Sequence, residues 1–397
     1  MHTSKLVRFF CFVFILFTFT LLLAEKADGP YSVKSKKTLG GEGGWDYLAV
    51  DSDANRLYIT RGTHLMVLDA GDLKVLGDIP NLNGIHGVAI VKELGKGFIS
   101  NGRDNSAVIF DLKTLKETGR VKTGTNPDAI IYEPTAKRVF TFNGRSHDAT
   151  AIDPATGTVA GTIDLGGKPE FAAVDDKGGL FVNIEDKSEL VSIDPKKLTV
   201  LNHWPLAPCE SPSGLAIDKK HRRLFSGCDN KMMAITNADT GKVVTTVPIG
   251  EGVDANGFDP GTGLAFSSNG GGDGTLTVVH EDSPDKYTVV QNLATQKGAR
   301  TMTLDPKTHT VYTVTAEFNP PAAATAEQPR PRPTMAASSS TTSGWRSSVR
   351  RIGRSTAVRA WATTSSSMAK CSSSLPGRDS PSTRSRHSCR CCQPSSG

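Results

Sequence analysis

Seven residues stand out by type and spacing in this 397-residue chain: Asp46, His86, Asp128, Glu170, Ser213, Asp254 and Arg300. They follow one another at intervals of roughly 40 to 46 residues, within the range of known repeat periods. All are polar, and four are carboxylates. Carboxylates gathered with one imidazole suit a divalent cation such as Ca2+ or Mg2+, with Asp46, Asp128, Glu170 and Asp254 as the donors. They also suit a polyhydroxylated ligand that hydrogen-bonds to the same oxygens. Residues so far apart act together only if the fold returns them to one place, so the elements that repeat at this interval decide the matter.

Aligning the apolar runs gives seven copies of one pattern. They begin "WDYLAVDSDANRLYIT" at Trp45, "IHGVAIVKELGKGFIS" at Ile85, "PDAIIYEPTAKRVFTF" at Pro127 and "PEFAAVDDKGGLFVNI" at Pro169. "PSGLAIDKKHRRLFSG" at Pro212, "VDANGFDPGTGLAFSS" at Val253 and "ARTMTLDPKTHTVYTV" at Ala299 complete the set. An aromatic holds the same register throughout, as Tyr58, Phe98, Phe140, Phe225, Phe266 and Tyr312, with Phe181 one residue early in the fourth copy. Each copy reads as four short strands divided by turns such as "DPATG" and by Asn/Gly loops. Four strands per period describe a propeller blade. The predicted fold is therefore all-β, a seven-bladed β-propeller of four-stranded antiparallel blades. Equivalent positions in a cyclic repeat lie on one circle, which is how the seven polar residues would meet.

The loops "SNGRDNS" and "FNGRSHD" belong to the same grammar, since Asn and Gly tolerate the backbone a tight loop needs. They add Asn101, Asn143, Arg103 and Arg145, with Asn183 and Asn269 in matching loops, to the candidate ligand-binding residues. The blade text, for example "RVFTFN…ATAIDPATGTVAGTIDLGG", resembles the YVTN-repeat (YncE-like) β-propeller family over residues 31 to about 335. That resemblance implies the propeller fold and leaves activity open, because such folds include ligand binders, lactonase-like enzymes and cofactor-carrying oxidoreductases.

The ends of the chain read differently. Residues 1–24 carry Lys5 and Arg8 ahead of "FFCFVFILFTFTLLL", the build of a secretory signal peptide, so a periplasmic or secreted protein with no later membrane span is expected. Residues 25–335 hold the propeller, closed by "YSVKSKKTLGGEG" as the outer strand of the last blade. From residue 336 to 397 the text turns to Ser, Arg and Cys. This reads as a disordered tail or as out-of-frame translation, with no third strand for blade seven; the correct frame would then encode a terminal strand. Nine Arg and Lys370 in that tail, with Lys5 and Arg8, exceed the net charge of +6, so the body is acidic. Nucleic-acid binding, which wants basic grooves, is not expected. Within the body only Cys209 and Cys228 occur, and export makes them a candidate disulfide.

Three functions fit these residues. The first is a monomeric exported propeller binding a small-molecule or protein ligand at the channel mouth. The second is a metal-dependent, lactonase-like hydrolase on the same face; "EGGW" from Glu42 resembles the opening of gluconolactonase-like propellers, which have six blades. The third is a redox propeller resembling the haem d1 domain, with His86 the single ring histidine and no CxxCH motif. No G-x-S-x-G elbow supports a serine nucleophile.

Overall fold

The structure, a computed structural model, describes residues 29–41 and 43–317 and the backbone of 346–354. The leader, Glu42 and the remaining residues beyond 317 lie outside the described residues. Seven four-stranded sheets are present, each antiparallel throughout. Blade three is representative: β10 (Pro127–Glu133) pairs with β11 (Arg138–Asn143), then β12 (Asp148–Asp153), then β13 (Thr158–Asp164). Among the described residues no helix is long and apolar enough to cross a membrane.

The repeating aromatic explains why the blades stack. Tyr58, Phe98, Phe140, Phe181, Phe225, Phe266 and Tyr312 all sit on second strands and are buried. They belong to seven apolar clusters, each combining residues of two adjacent blades. No blade buries its faces alone; each pair of neighbours makes one core, so the ring is stable only when complete.

Blade seven closes with both ends of the described chain. Its sheet runs β26 (Met302–Asp305), β27 (Thr310–Glu317), β28 (Arg346–Arg354), β1 (Tyr31–Thr38). The N-terminal strand is outermost, as the sequence implied. The absence of a third strand is corrected: Arg346–Arg354 fills that slot, with Val314 opposite Val349 and Lys36 opposite Arg350. The blade thus draws on chain beyond residue 335. Backbone pairing explains the miss, because a strand between two waiting edges needs hydrogen bonds more than a hydrophobic period.

Cys209 and Cys228 form a disulfide with Cα atoms 5.6 Å apart. It ties the approach to the fifth innermost strand (Pro212–Asp218) to the end of that blade's second strand (Arg223–Cys228). Replacing both cysteines by Ser should lower unfolding stability by about 3 kcal/mol, as expected for a loop of this length. Urea unfolding of the oxidised protein and the variant measures it; equal midpoints would show that the bridge adds nothing.

Candidate functional site

The innermost strands begin at the axis with a shared irregularity. In blade three, Pro127 pairs with Asn143 and the next pair is Ile130 with Thr141, so Asp128 and Ala129 bulge out of register. The same slip falls at His86 in blade two, Glu170 in blade four, Ser213 in blade five and Asp254 in blade six. A bulge re-aims a side chain that a regular strand would direct into the sheet. Here it is repeated at each of these five ring positions.

The freed carbonyls are caught by neighbouring blades. Asn183 Nδ2 donates to Ser213 O at 2.9 Å and Thr301 Oγ1 donates to Asp46 O at 2.9 Å. Ser100 Oγ and Ser268 Oγ donate to the carbonyls of Asp128 and Arg300. Two residues before the ring, Gly84, Asn126, Ser211, Gly252 and Gly298 take φ between 46° and 79°. That left-handed bend costs glycine little and delivers the chain to the mouth.

The ring has three sectors. In the first, His86 Nδ1 lies 2.6 Å from Asp46 Oδ2 and 3.6 Å from Asp128 Oδ1. In the second, Arg300 Nε donates to Asp254 Oδ2 at 2.7 Å and its Nη2 reaches Asp46 Oδ1 at 3.4 Å. Ser213 Oγ donates to Asp254 Oδ1 at 3.2 Å, and the guanidinium lies 5.8 Å from the centre of the Trp45 ring. In the third, Lys168 Nζ contacts Glu170 Oε1 at 2.7 Å and also pairs with Glu185.

Burial and mutual repulsion set the protonation. Burial raises the Asp128 carboxyl to about 6; His86 opposes this, while Asp46 and Asp254 add to it. Burial and then the Asp128 charge push Glu170 up to about 8, because its one ammonium is shared with Glu185. Asp254 is raised by burial against the pull of Arg300. Burial alone would lower the His86 pKa, but the hydrogen bond to Asp46 and the charge of Asp128 carry it above its ordinary value. Asp128, Glu170 and Asp254 therefore do not ionise as free carboxyls do.

Tyr47, missed in the sequence, sits at the focus. It is buried, with 7% of its surface exposed, and its ring meets Phe171 edge-on at 4.9 Å. Its hydroxyl has no hydrogen-bond partner among the described residues. Burial, then Asp128, Glu170, Asp254 and Asp46 raise its pKa, so it remains a donor facing the carboxylates. Beneath lies an apolar cavity of about 640 Å³ lined by residues such as Val50, Ile90, Ile131 and Leu304, and Tyr47 and Phe171 stand at its upper end.

Several candidates sit elsewhere. Asn101, Asn143, Asn183 and Asn269 are all but fully buried. Asn101 accepts from the Asn83 backbone N–H at 2.8 Å and donates to Asp104 at 2.9 Å; Asn143 donates to Thr150 at 3.0 Å. Asn101 and Asn143 thus spend their amides within their own blades, whereas Asn183 bonds to the carbonyls of Ser213 and Gly214 in the next one. Arg103 and Arg145 are exposed on their loops, with no side-chain hydrogen bond or ion pair among the described residues. The four carboxylates expected to hold a metal do not gather into one cluster. Arg300 and Lys168 pair with Asp254 and Glu170, while Asp46, His86 and Asp128 lie close enough to surround one ion.

No protein-family model and no curated protein matches the chain. Solved structures do. The chain is similar to U3-55K, with a TM-score of 0.61 and 9% identity over 70% of this chain and 90% of that one. It is similar to the RRP9 WD40 repeats, at 0.61 and 10% over 72% and 91%. A chain of the mitotic checkpoint complex gives 0.62 and 14% over 73% and 90%. The fold is a seven-bladed β-propeller. At these identities the likeness speaks for architecture and leaves the ligand open.

Proposed function

We propose that this is an exported binding propeller of the YVTN-repeat (YncE-like) kind, whose channel mouth takes a small polar ligand. The observation that carries the reading is Tyr47, 7% exposed and hydrogen-bonded to no described residue, in the combined field of Asp46, Asp128, Glu170 and Asp254. A largely buried phenol facing several carboxylates is a ready donor to a ligand that the same carboxylates hold. A propeller scaffold favours binding in general. The basic, apolar leader and the Cys209–Cys228 bridge support an oxidising, periplasmic or secreted location.

Trp45 supplies the readout, because its ring lies beside Arg300 at the mouth. Metal ions, polyols and small amines titrated into the full chain should change the part of the tryptophan emission that Trp45→Phe removes. Tyr47→Phe should weaken the responding ligand by roughly 5- to 10-fold, the value of one hydrogen bond, with folding unchanged. If no compound shifts the emission and Asp254→Asn instead unfolds the protein, the ring is a structural cap and the reading fails.

A further inference from the structure

Asp128 is the least compensated member of the ring. Asp254 has Arg300 and Ser213, and Glu170 has Lys168. The Asp128 carboxylate accepts no hydrogen bond among the described residues, and its nearest cation is His86 at 3.6 Å. Asp46 turns one oxygen toward Arg300 and the other toward the same imidazole. Two carboxylate oxygens and one ring nitrogen therefore face a single point, all within 4.8 Å of one another.

That spacing is close to a coordination sphere. Ligand bonds of about 2.0–2.2 Å place neighbouring donors around one ion about 3–3.5 Å apart. The observed separations of 2.6 and 3.6 Å bracket this range, so small rotations of Asp46 and Asp128 suffice. Tyr47, only 7% exposed, hydrogen-bonded to no described residue and close enough to Asp46 and Asp128 to feel their charge, is a second observation that points to a ligand here.

We infer that Asp46, His86 and Asp128 bind one divalent first-row transition-metal ion at the channel mouth, with Tyr47 below its open coordination positions. This rests on the proposed ligand pocket and names the class of its ligand. The donor set selects the ion. Ca2+ and Mg2+ favour all-oxygen surroundings, whereas an imidazole nitrogen beside two carboxylates suits Zn2+, Co2+, Fe2+ or Mn2+. The two carboxylates neutralise the ion, while Arg300 and Lys168 stay with Asp254 and Glu170. Water or a ligand oxygen completes the sphere and accepts the hydrogen bond that Tyr47 offers.

Co2+ titrated into chelator-treated, full-length protein is the direct test, read by visible absorption and calorimetry. One equivalent should bind, with imidazole-type visible bands, and Ca2+ or Mg2+ at 100-fold excess should not displace it. His86→Gln and Asp128→Asn should each weaken Co2+ at least 10-fold with unchanged circular dichroism. His221→Gln is the control, because Asp218, His221 and Glu281 form the other such cluster among the described residues. Loss of binding with His221→Gln but not His86→Gln would overturn the assignment, as would no Co2+ uptake at millimolar concentration. If polyols or amines still act through Trp45 while Co2+ does not bind, the metal inference falls and the binding pocket stands.

Discussion

Glu170→Gln should make the metal-free protein more stable at pH 7, by roughly 3 kcal/mol. This follows from a carboxyl that ionises only near pH 8 in the folded state and at its ordinary, much lower value when unfolded. An acid whose pKa rises on folding contributes stability that is complete below its unfolded pKa. That contribution is lost as pH climbs through the folded value. Asp128, raised to about 6, acts in the same direction. So does His86, whose raised pKa makes its protonated form the one that folding favours. The ring's contribution therefore declines from about pH 4 to about pH 8. The substitution removes most of that slope and keeps an oxygen for Lys168, whose half-exposed ion pair with Glu170 is worth at most about 1 kcal/mol. Adding Asp128→Asn should gain less than its effect alone, because each carboxylate raises the other. Chemical unfolding from pH 5 to 8.5 would decide the point. A wild type that gains stability with rising pH, or a variant with the same profile, would mean the carboxylates are solvated or paired.

The outline of this site was legible because a cyclic repeat converts sequence register into spatial position. Asp46, His86, Asp128, Glu170, Ser213, Asp254 and Arg300 share one register and meet at one mouth. What register does not carry is the path of the chain around each residue. The loop asparagines looked identical to ring residues in type, yet Asn143 sits on a second strand and turns into its own blade toward Thr150. Nor does register tell which carboxylate has a cation beside it. Two signals were nonetheless present. At the position after the ring residue the chain has Tyr47, Gly87, Ala129, Phe171, Gly214, Ala255 and Thr301. The two large rings in that mostly small series are the two that meet above the cavity. Two positions before the ring, Lys168 is the only charged residue of its series, and it pairs with the ring's only Glu.

The fold was more legible than the site because its information is redundant. Seven aromatics, seven turn sets and seven apolar runs agree, so a missing residue changes little. Blade seven is the exception, since it is assembled from distant pieces of chain. Its N-terminal strand was recognisable by similarity to "VVTTVPIGEG", whereas "RSSVRRIGR" has neither the turn nor the apolar spacing of its counterparts. Its slot is defined by the edges of β27 and β1.

That closure gives the second large effect, at Tyr31. Tyr31→Ala should destabilise the protein by about 3–5 kcal/mol, the range for removing a large buried side chain. The residue opens β1 and is 1% exposed, with its ring edge-on to Phe266 of blade six at 4.9 Å. Gln291 of that blade accepts from the Tyr31 N–H at 3.0 Å and donates to its carbonyl at 2.8 Å. Tyr31 thus belongs to the cluster between blades six and seven, together with Leu276, Met302 and Val311, although it enters from the far end of the chain. A solenoid that loses an end repeat frays locally. A ring that loses its closing strand exposes a sheet edge and an inter-blade core together, so the loss should spread to the whole transition. Tyr31→Phe, which keeps the ring, should retain most of the stability, and Gln291→Ala should cost about 1 kcal/mol for the lost backbone contacts. Calorimetry of the three variants separates the cases. If Tyr31→Ala melts with the wild type, β1 is not the strand that closes the ring.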